Sequence, residues 1–138
     1  MPLQLDIVTP EKRVFSEEVD SVTLPGSEGE LGILPQHIPL VTALKPGELV
    51  YAKSGKSEHF AVGIGFVEVT GERVSVLTDM AMGEGEIDEK SVEEALKRAQ
   101  ERLESIKHDQ GSEDFAAMQA IIQKSMAQLH VKRKRRSV

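Results

Sequence analysis

Two short glycine-containing segments are the first places to look for chemistry in this chain, because glycine lets backbone amides approach a phosphate closely. Residues 54–57 read SGKS, the end of a phosphate-binding P-loop, but that motif needs a glycine five positions before Gly55, where Val50 stands. Residues 63–65 read GIG and begin like a dinucleotide fingerprint, yet Glu68 occupies the place of the third glycine. We therefore interpret the first segment as a hairpin turn and the second as glycines that relieve crowding within a strand.

Metal binding and nucleophilic catalysis also lack the residue patterns that they need. The histidines stand alone, without the i,i+4 partner that would place two ligands on one helix face; they are His37, His59, His108 and His130. The chain has no cysteine to act as a thiolate ligand or nucleophile, and no G-x-S-x-G motif. Its carboxylates are scattered in polar contexts such as SEEVD at 16–20, which is typical of solvated faces. We predict no metal and no catalytic residue, so the chain is not expected to be an enzyme; a metal site assembled from histidines distant in sequence is the weaker alternative.

The charge distribution is more informative than the net charge of −6. The last 24 residues contain six Lys or Arg and no Asp or Glu, whereas the preceding part of the chain is acidic. A basic end on an acidic protein predicts an acidic partner for that end. No apolar run approaches the roughly 20 residues that span a bilayer, and the N-terminus lacks the pattern of a signal peptide. Both observations predict a cytoplasmic protein.

The residue pattern up to about Gly85 is that of β-strands. Short runs rich in β-branched residues alternate with Gly, Pro or Ser: LQLDI (3–7), ELVYAK (48–53), HFAVGI (59–64), FVEVT (66–70) and RVSVLTD (73–79). Such spacing predicts an antiparallel sandwich or barrel. Gly71 and Glu72 separate two of the runs and predict a hairpin turn.

After Gly85 the apolar pattern takes the helical period. Asp88 is the predicted N-cap of a first helix, whose apolar stripe is Val92, Ala95, Leu96, Ala99, Leu103 and Ile106. Residues 109–111, which read DQG, end that helix, and Ser112 is the predicted cap of a second one. The stripe predicted for the second helix is Phe115, Met118, Ile122, Met126 and Leu129. A short polar connection between two helices predicts an antiparallel hairpin.

The change of period divides the chain into two predicted domains, a β domain at 1–86 and a helical hairpin at 87–138. The hairpin has narrow apolar stripes with many alanines, so its helices cannot bury each other's faces fully. We expect it to dock conditionally, with stability supplied by the β domain or by a partner, which makes it a candidate moving part.

The basic tail at 132–136 has several interpretations from the sequence alone. Two observations argue against nucleic-acid binding. The aromatic content of 4% leaves no evident stacking platform, and the β domain is acidic. A cluster of about 4–8 Lys or Arg can also contact anionic lipid. With Lys124, the tail could instead meet an acidic protein surface. A frayed, solvated helix end is the alternative without function.

The segment GSEGELGILPQHIPLV at 26–41 closely resembles the signature of the epsilon subunit of bacterial F-type ATP synthases. The resemblance extends over essentially the whole chain and includes LDIVTPEKRVFSEEVDSVTLPG (5–26), ALKPGEL (43–49), VGIGFVEV (62–69), VSVLTD (74–79), IDEKSVEEALKRAQERL (87–103) and AAMQAIIQKSMAQLHV (116–131). It implies a β-sandwich of two five-stranded sheets, followed by a C-terminal antiparallel two-helix hairpin.

The resemblance also implies a role. Members of the family are non-catalytic rotor subunits of the central stalk, which couple c-ring rotation to ATP synthesis from ADP and phosphate. The implied partners are the gamma subunit, the c-ring and the beta subunits, with no nucleic acid. The implied location is peripheral, on the cytoplasmic face of the bacterial cell membrane, with membrane contact only through the complex. The C-terminal helices act in the family as a brake on ATP hydrolysis.

The family pattern assigns contact residues to positions of this sequence. The contact with the c-ring and gamma is implied for Glu30, Leu31, Pro35 and His37. We expect Gly29 and Gly32 to let this backbone turn, and Pro35 and Pro39 to stiffen it. An acidic segment of the beta subunits is the implied target of Lys124, Lys132, Arg133, Lys134, Arg135 and Arg136.

Some relatives bind ATP at the start of the first helix through an Ile-Asp-x-x-Arg-Ala pattern. Ile87 and Asp88 match it, but Ser91 and Val92 replace the Arg and the Ala. Losing the guanidinium removes the group best suited to a phosphate. Asp88 is therefore only a weak ATP candidate, its role as a helix cap is the simpler interpretation, and no cofactor is expected.

The leading hypothesis is a coupling and regulatory subunit of a proton-translocating ATP synthase. The rival hypothesis is a free-standing small binding module that applies its basic C-terminal helix to nucleic acid or anionic lipid. Salt-sensitive nucleic-acid binding without a gamma subunit would favour the rival.

Overall fold

A computed structural model of the chain describes residues 3–106, 108 and 111–136, with the backbone alone for residues 134–136. In these residues ten strands precede a short 3₁₀ helix and two α-helices. The strands are β1 (Leu3–Val8), β2 (Arg13–Val19), β3 (Ser21–Gly26), β4 (Gly29–Ile33), β5 (Leu40–Leu44), β6 (Gly47–Lys53), β7 (Lys56–Val62), β8 (Gly65–Val69), β9 (Arg73–Thr78) and β10 (Ala81–Gly83). The 3₁₀ helix is Glu84–Glu86, and the α-helices are α1 (Glu89–Ile106) and α2 (Glu113–Arg136). The predicted fold class, a β-sandwich followed by two helices, is confirmed.

The ten strands form one hydrogen-bonded ladder that folds into two halves of five strands each. The first half has β10, β7, β6, β3 and β4, and the second has β5, β8, β9, β1 and β2. A single pairing, Gly26 with Leu44, joins β3 of the first half to β5 of the second. On the opposite side, the backbone N–H of Asp20 donates to the carbonyl of Ala52 at 2.7 Å and ties the end of β2 to β6. The two sheets implied by the sequence are thus halves of one folded ladder.

Alternation along the strands explains where the main core lies. Leu3, Leu5 and Ile7 of β1 are fully buried, as period-two spacing predicts. The inward residues of both halves complete the main core, which includes Val19, Val22, Leu24, Ile33, Leu44, Leu49, Phe60, Val62, Val67, Val69, Val74 and Val76. This core contains no residue of either helix, so the sandwich has its own apolar interior.

The two glycine-containing segments, residues 54–57 and 63–65, have structural roles. Ser54 and Gly55, with φ of 54° and 81°, form the tight turn between β6 and β7, as the hairpin interpretation predicted. Gly65 begins β8, where an added Cβ would lie 1.9 Å from the carbonyl oxygen of Leu77. Only glycine fits this close approach of two backbones.

Replacing Gly65 with alanine is expected to destabilise the sandwich by about 1–3 kcal/mol or more, because backbone rather than a flexible side chain would have to move. The matched control is Gly71→Ala in the β8–β9 turn, where an added Cβ meets nothing within 4 Å. We expect that control to be neutral or slightly stabilising. Urea unfolding followed by circular dichroism measures both; equal midpoints for the two variants would contradict the expectation.

The two helices form the predicted antiparallel hairpin. Arg102 near the end of α1 lies 3.3 Å from Asp114 at the start of α2, while Arg133 near the end of α2 pairs with Glu89 at the start of α1. The predicted caps are present, since the Ser112 hydroxyl accepts from the Phe115 backbone N–H at 3.1 Å. The stripe predicted for α1 is buried or half-buried along its length.

The stripe predicted for α2 is wrong at one position. Met126 is 57% exposed, whereas Ser125, Ala127, Leu129 and Val131 are buried. At 3.6 residues per turn these four lie on two opposite sides of the helix, because the last part of α2 lies between α1 and the first half of the sandwich. A single-stripe pattern assumes one buried face, and Met126 projects between the two faces that are actually covered.

Candidate interaction surfaces

The segment from Glu30 to His37 begins in β4 and continues into a loop. Glu30 is exposed and opposite Pro25 of β3, while Leu31 is half-buried and packs against the main core. Gly29, at φ 127°, makes the turn that we expected. Gly32 does not, because it lies within β4 opposite Thr23. The strand therefore presents Glu30 outward on a rigid support and uses Leu31 as an anchor.

The loop that follows is held against the neighbouring turn. The backbone N–H of Gln36 donates to the carbonyl of Gly71 at 2.7 Å, and Gln36 takes a left-handed φ of 65°. His37 is half-buried, with Nδ1 2.7 Å from the carbonyl oxygen of Ile38, and Pro35 is also half-buried. The residues on either side of them are exposed: Leu34 has a relative exposure of 65% and Ile38 one of 79%. Two aliphatic side chains on a fixed loop suit a protein contact better than solvent.

The outer face of the second half-sheet carries apolar residues that the sequence reading missed. Ala43, Phe66, Leu77 and Val8 are direct neighbours across β5, β8, β9 and β1, and we call them the outer apolar row. Phe66 is 62% exposed and Leu77 is 53% exposed. An apolar groove of about 380 Å³ continues the row towards Pro10 at the β1–β2 turn. The signal was present in the sequence, since Phe66 and Leu77 are large apolar residues at the outward phase of their strands.

The first half-sheet is covered by the chain's own hairpin. Ala61 of β7 is fully buried although it points away from the main core, because α2 lies over it. With Ile87, Val92, Ala127, Leu129 and Val131 it forms a second apolar cluster, which we call the hairpin cluster. One face of the sandwich is thus occupied and the other is bare.

The predicted cations of α2 that the structure describes all pair within the chain. Lys124 Nζ lies 2.8 Å from Asp79, and Lys132 Nζ lies 3.2 Å from Glu84. Arg133 contacts Glu89 at 3.0 Å and Glu93 at 2.7 Å. The side chains of Lys134, Arg135 and Arg136 lie outside the described residues. The hydrogen bonds to Glu93 and Glu89 raise the pKa of Arg133 above its usual range.

Asp88, the weak ATP candidate, is engaged as a helix cap. Its two carboxylate oxygens accept from the backbone N–H and the hydroxyl of Ser91, at 3.3 and 3.0 Å. These two hydrogen bonds lower the pKa of Asp88 below its usual value. The predicted N-cap is therefore confirmed, and its carboxylate already has two donors on its own helix.

The histidines do not come together as a ligand set. His59 Nδ1 lies 3.0 Å from Glu48, and His130 Nε2 of α2 lies 3.9 Å from the same carboxylate. Among the residues that the structure describes, no group of three or more potential ligands is arranged to hold a metal ion. In the same part of the chain, neither α-helix is long and apolar enough to cross a membrane.

These features define a class of protein: a β-sandwich with a docked helical hairpin and several surfaces suited to contacts with other proteins. Two family models match nearly the whole chain, the β-sandwich domain of the ATP synthase delta/epsilon chain over residues 2–84 and its long α-helix domain over residues 86–133. The chain belongs to the epsilon-chain family of ATP synthases.

Relatives from bacteria agree with this assignment. The chain is 44% identical over 137 residues to an ATP synthase epsilon chain of Herpetosiphon aurantiacus, covering 99% of this chain and 98% of that protein. It is 54% identical over 102 residues to an ATP synthase epsilon chain of Desulforamulus reducens, covering 74% of this chain and 77% of that protein. The family subunit is non-catalytic, in agreement with the prediction that this chain is not an enzyme.

Solved structures support the fold. A chain in the Euglena gracilis mitochondrial ATP synthase superposes with a TM-score of 0.75 at 23% identity, covering 91% of this chain and 78% of that one. A chain in the central stalk and c-ring of the Tetrahymena thermophila mitochondrial ATP synthase superposes with a TM-score of 0.54 at 16% identity. The match covers 98% of this chain and 96% of that one. At these identities the likeness establishes the architecture alone.

Proposed function

We propose that this epsilon chain works in the rotor, where the sandwich couples c-ring rotation to ATP synthesis and the hairpin restrains ATP hydrolysis. The observation that carries the proposal is the division of the sandwich surface. One half-sheet is covered by α2, while the other exposes the outer apolar row and the loop with Leu34 and Ile38. Transmission of rotation needs contacts with two different partners, and the outer apolar row and the loop are two separate surfaces that can supply them.

The outer apolar row is the proposed contact with the gamma subunit. Its aromatic member, Phe66, and its neighbour Leu77 supply large apolar area near the centre of the second half-sheet. Interfaces that persist through a working cycle are apolar at their core, and buried aromatic residues contribute strongly to them. The adjoining groove offers a recess for a side chain of the partner.

The Glu30–His37 segment is the proposed contact with the c-ring. Glu30 offers a charge and Leu34 and Ile38 offer apolar surface, all on backbone fixed by β4 and by the Gln36–Gly71 hydrogen bond. A fixed loop loses little entropy on binding. Through these contacts the subunit would be peripheral, on the cytoplasmic face of the bacterial membrane.

The basic end of α2 is the proposed contact with an acidic segment of the beta subunits. In the compact arrangement its described cations face the chain's own carboxylates, so inhibition requires the hairpin to leave the sandwich. ATP binding stays possible but is not favoured, because Ser91 and Val92 stand where relatives have Arg and Ala. Membership of a family of ATP synthase subunits argues against the rival hypothesis of a free-standing nucleic-acid or lipid module.

A carboxylate at Phe66 tests the gamma contact. Phe66→Glu is expected to weaken co-purification with gamma by at least tenfold, since it puts a charge into an apolar interface at a cost of about 2 kcal/mol or more. The isolated chain should keep its stability, because Phe66 is exposed.

The matched control is Ser57→Glu, which introduces the same charge at an exposed strand position on the other half-sheet. It is expected to co-purify with gamma like the natural chain. Equal recovery of gamma by both variants would remove the outer apolar row from the proposed interface.

A further inference from the structure

We propose that the compact hairpin is held by an ionic latch in which the chain's own acidic residues occupy the cations that otherwise bind the partner. The latch consists of Lys124 with Asp79, Lys132 with Glu84, and Arg133 with Glu89 and Glu93. The identity of the competing acidic surface rests on the proposed function; the latch itself rests only on contacts within this chain.

One pair ties α2 to the β9–β10 connection of the sandwich, and another ties it to the segment that links the sandwich to α1. Asp79 directly follows β9, and Glu84 begins the 3₁₀ helix. The Lys132 ammonium also lies 3.4 Å from the backbone carbonyl oxygen of Glu84, so it meets two acceptors on one residue. The partly buried pairs Lys124–Asp79 and Lys132–Glu84 are about one-third exposed, which screens them less than fully solvated charges.

The remaining pair closes the hairpin on itself. Arg133 donates from Nε to Glu89 and from a terminal nitrogen to Glu93, two carboxylates one turn apart on α1. A guanidinium can reach both at once because its donors are held in a planar fork. Arg133 thus closes the open end of the hairpin, opposite the connection between the helices.

The apolar contact beneath these pairs is narrow. The hairpin cluster has two alanines among its six buried members, whereas the main core is built almost entirely of Leu, Ile and Val. Burial energy follows apolar area, so the hairpin cluster holds α2 less firmly than the main core holds the sandwich. Ion pairs of modest strength can therefore decide whether α2 stays docked.

Mutual exclusion follows from the same contacts. A lysine paired with Asp79 or Glu84 cannot pair with a partner's carboxylate at the same time, so docking and partner binding compete for the same atoms. Added salt should weaken both the docking of α2 on the sandwich and the binding of the partner. Removing the acidic residue of a pair should open the hairpin while leaving the cation available, whereas removing the cation should open the hairpin and also weaken the partner contact.

The latch can be tested on the isolated chain by distance measurement. The chain has no cysteine, so spin labels at Lys56→Cys on β7 and Met126→Cys on α2 are the only ones attached. Both positions are exposed and outside the latch. The Asp79→Asn/Glu84→Gln variant loses two partly exposed ion pairs. It is expected to raise the ratio of open to docked hairpin roughly 2- to 30-fold, which is the combined effect of two such pairs.

The matched control, Glu11→Gln/Glu58→Gln, removes two exposed carboxylates elsewhere on the sandwich and is expected to leave the distance distribution unchanged. Added salt should open the natural hairpin and have a smaller effect on the Asp79→Asn/Glu84→Gln variant, which keeps only the Arg133 pairs. An identical distance distribution in natural chain and variant, at every salt concentration, would overturn the latch.

The same variant tests the ionic latch and the proposed inhibition of ATP hydrolysis independently of each other. In the assembled complex, Asp79→Asn/Glu84→Gln is expected to lower ATP hydrolysis. If the hairpin opens but hydrolysis is unchanged, the latch stands and the brake is refuted. If the hairpin does not open, the latch is refuted whatever the effect on hydrolysis.

Discussion

Deleting residues 115–138 is expected to raise ATP hydrolysis by the assembled complex several-fold at low proton-motive force. The deletion removes all but the first two residues of α2 and with them every cation proposed to contact the beta subunits. Assembly should persist, because the main core and the outer apolar row contain no residue of the helices. Steady-state ATPase activity of membrane vesicles, with an uncoupler present, measures the effect.

The control for this deletion is a pair of substitutions at exposed positions of the same helix, Gln119→Ala and Gln123→Ala. They change neither the buried faces nor the cations and should leave hydrolysis unchanged. Unchanged hydrolysis after the deletion itself would mean that this family member has no brake, even if it assembles normally.

Replacing Ala61 with glutamate is expected to act in the opposite direction and to inhibit hydrolysis more strongly. Ala61 is fully buried beneath α2, so a longer, charged side chain there can be accommodated only if the helix leaves. Burying the carboxylate instead would cost about 2 kcal/mol or more, which corresponds to roughly a 30-fold shift towards the released hairpin. The substitution leaves α2 unchanged, so its contact with the partner is preserved.

Ser57→Glu is the matched control for this experiment as well, because Ser57 is in the same strand, on the same face, and exposed. Limited proteolysis of the isolated chain should cut α2 faster in Ala61→Glu than in Ser57→Glu. In ATPase assays of the assembled complexes, Ala61→Glu should inhibit ATP hydrolysis more strongly than Ser57→Glu. A release of α2 without added inhibition would argue against the hairpin as the inhibitory element.

The local elements of this fold were predictable from sequence because they depend on short-range periodicity. Alternation at Leu3, Leu5 and Ile7 predicted β1, and Asp88 and Ser112 predicted the helix starts. The resemblance to a family supplied the number of strands in each half. Each of these inferences needed only neighbouring residues or a known pattern.

The surfaces were less predictable because they depend on residues that are distant in the chain. Nothing local in the sequence indicates that Lys132 meets Glu84, or that α2 is covered on both sides and leaves Met126 exposed. The outer apolar row depends on the register of four strands that are not all consecutive. The outward position of Phe66 follows only once Val67 and Val69 are known to face the core.

The joint between the sandwich halves has a mechanical consequence. Beside the Gly26–Leu44 pairing, the backbone N–H of Ser27 donates to the carbonyl of Ala43 at 3.0 Å and that of Lys45 to the carbonyl of Pro25 at 2.9 Å; the Asp20–Ala52 hydrogen bond ties the other side. The inward residues of both halves also share the main core. A body joined by backbone hydrogen bonds and by one common apolar interior should turn as a single rigid unit. In the proposed rotor, torque applied to one surface of the sandwich would then reach the other with little elastic loss.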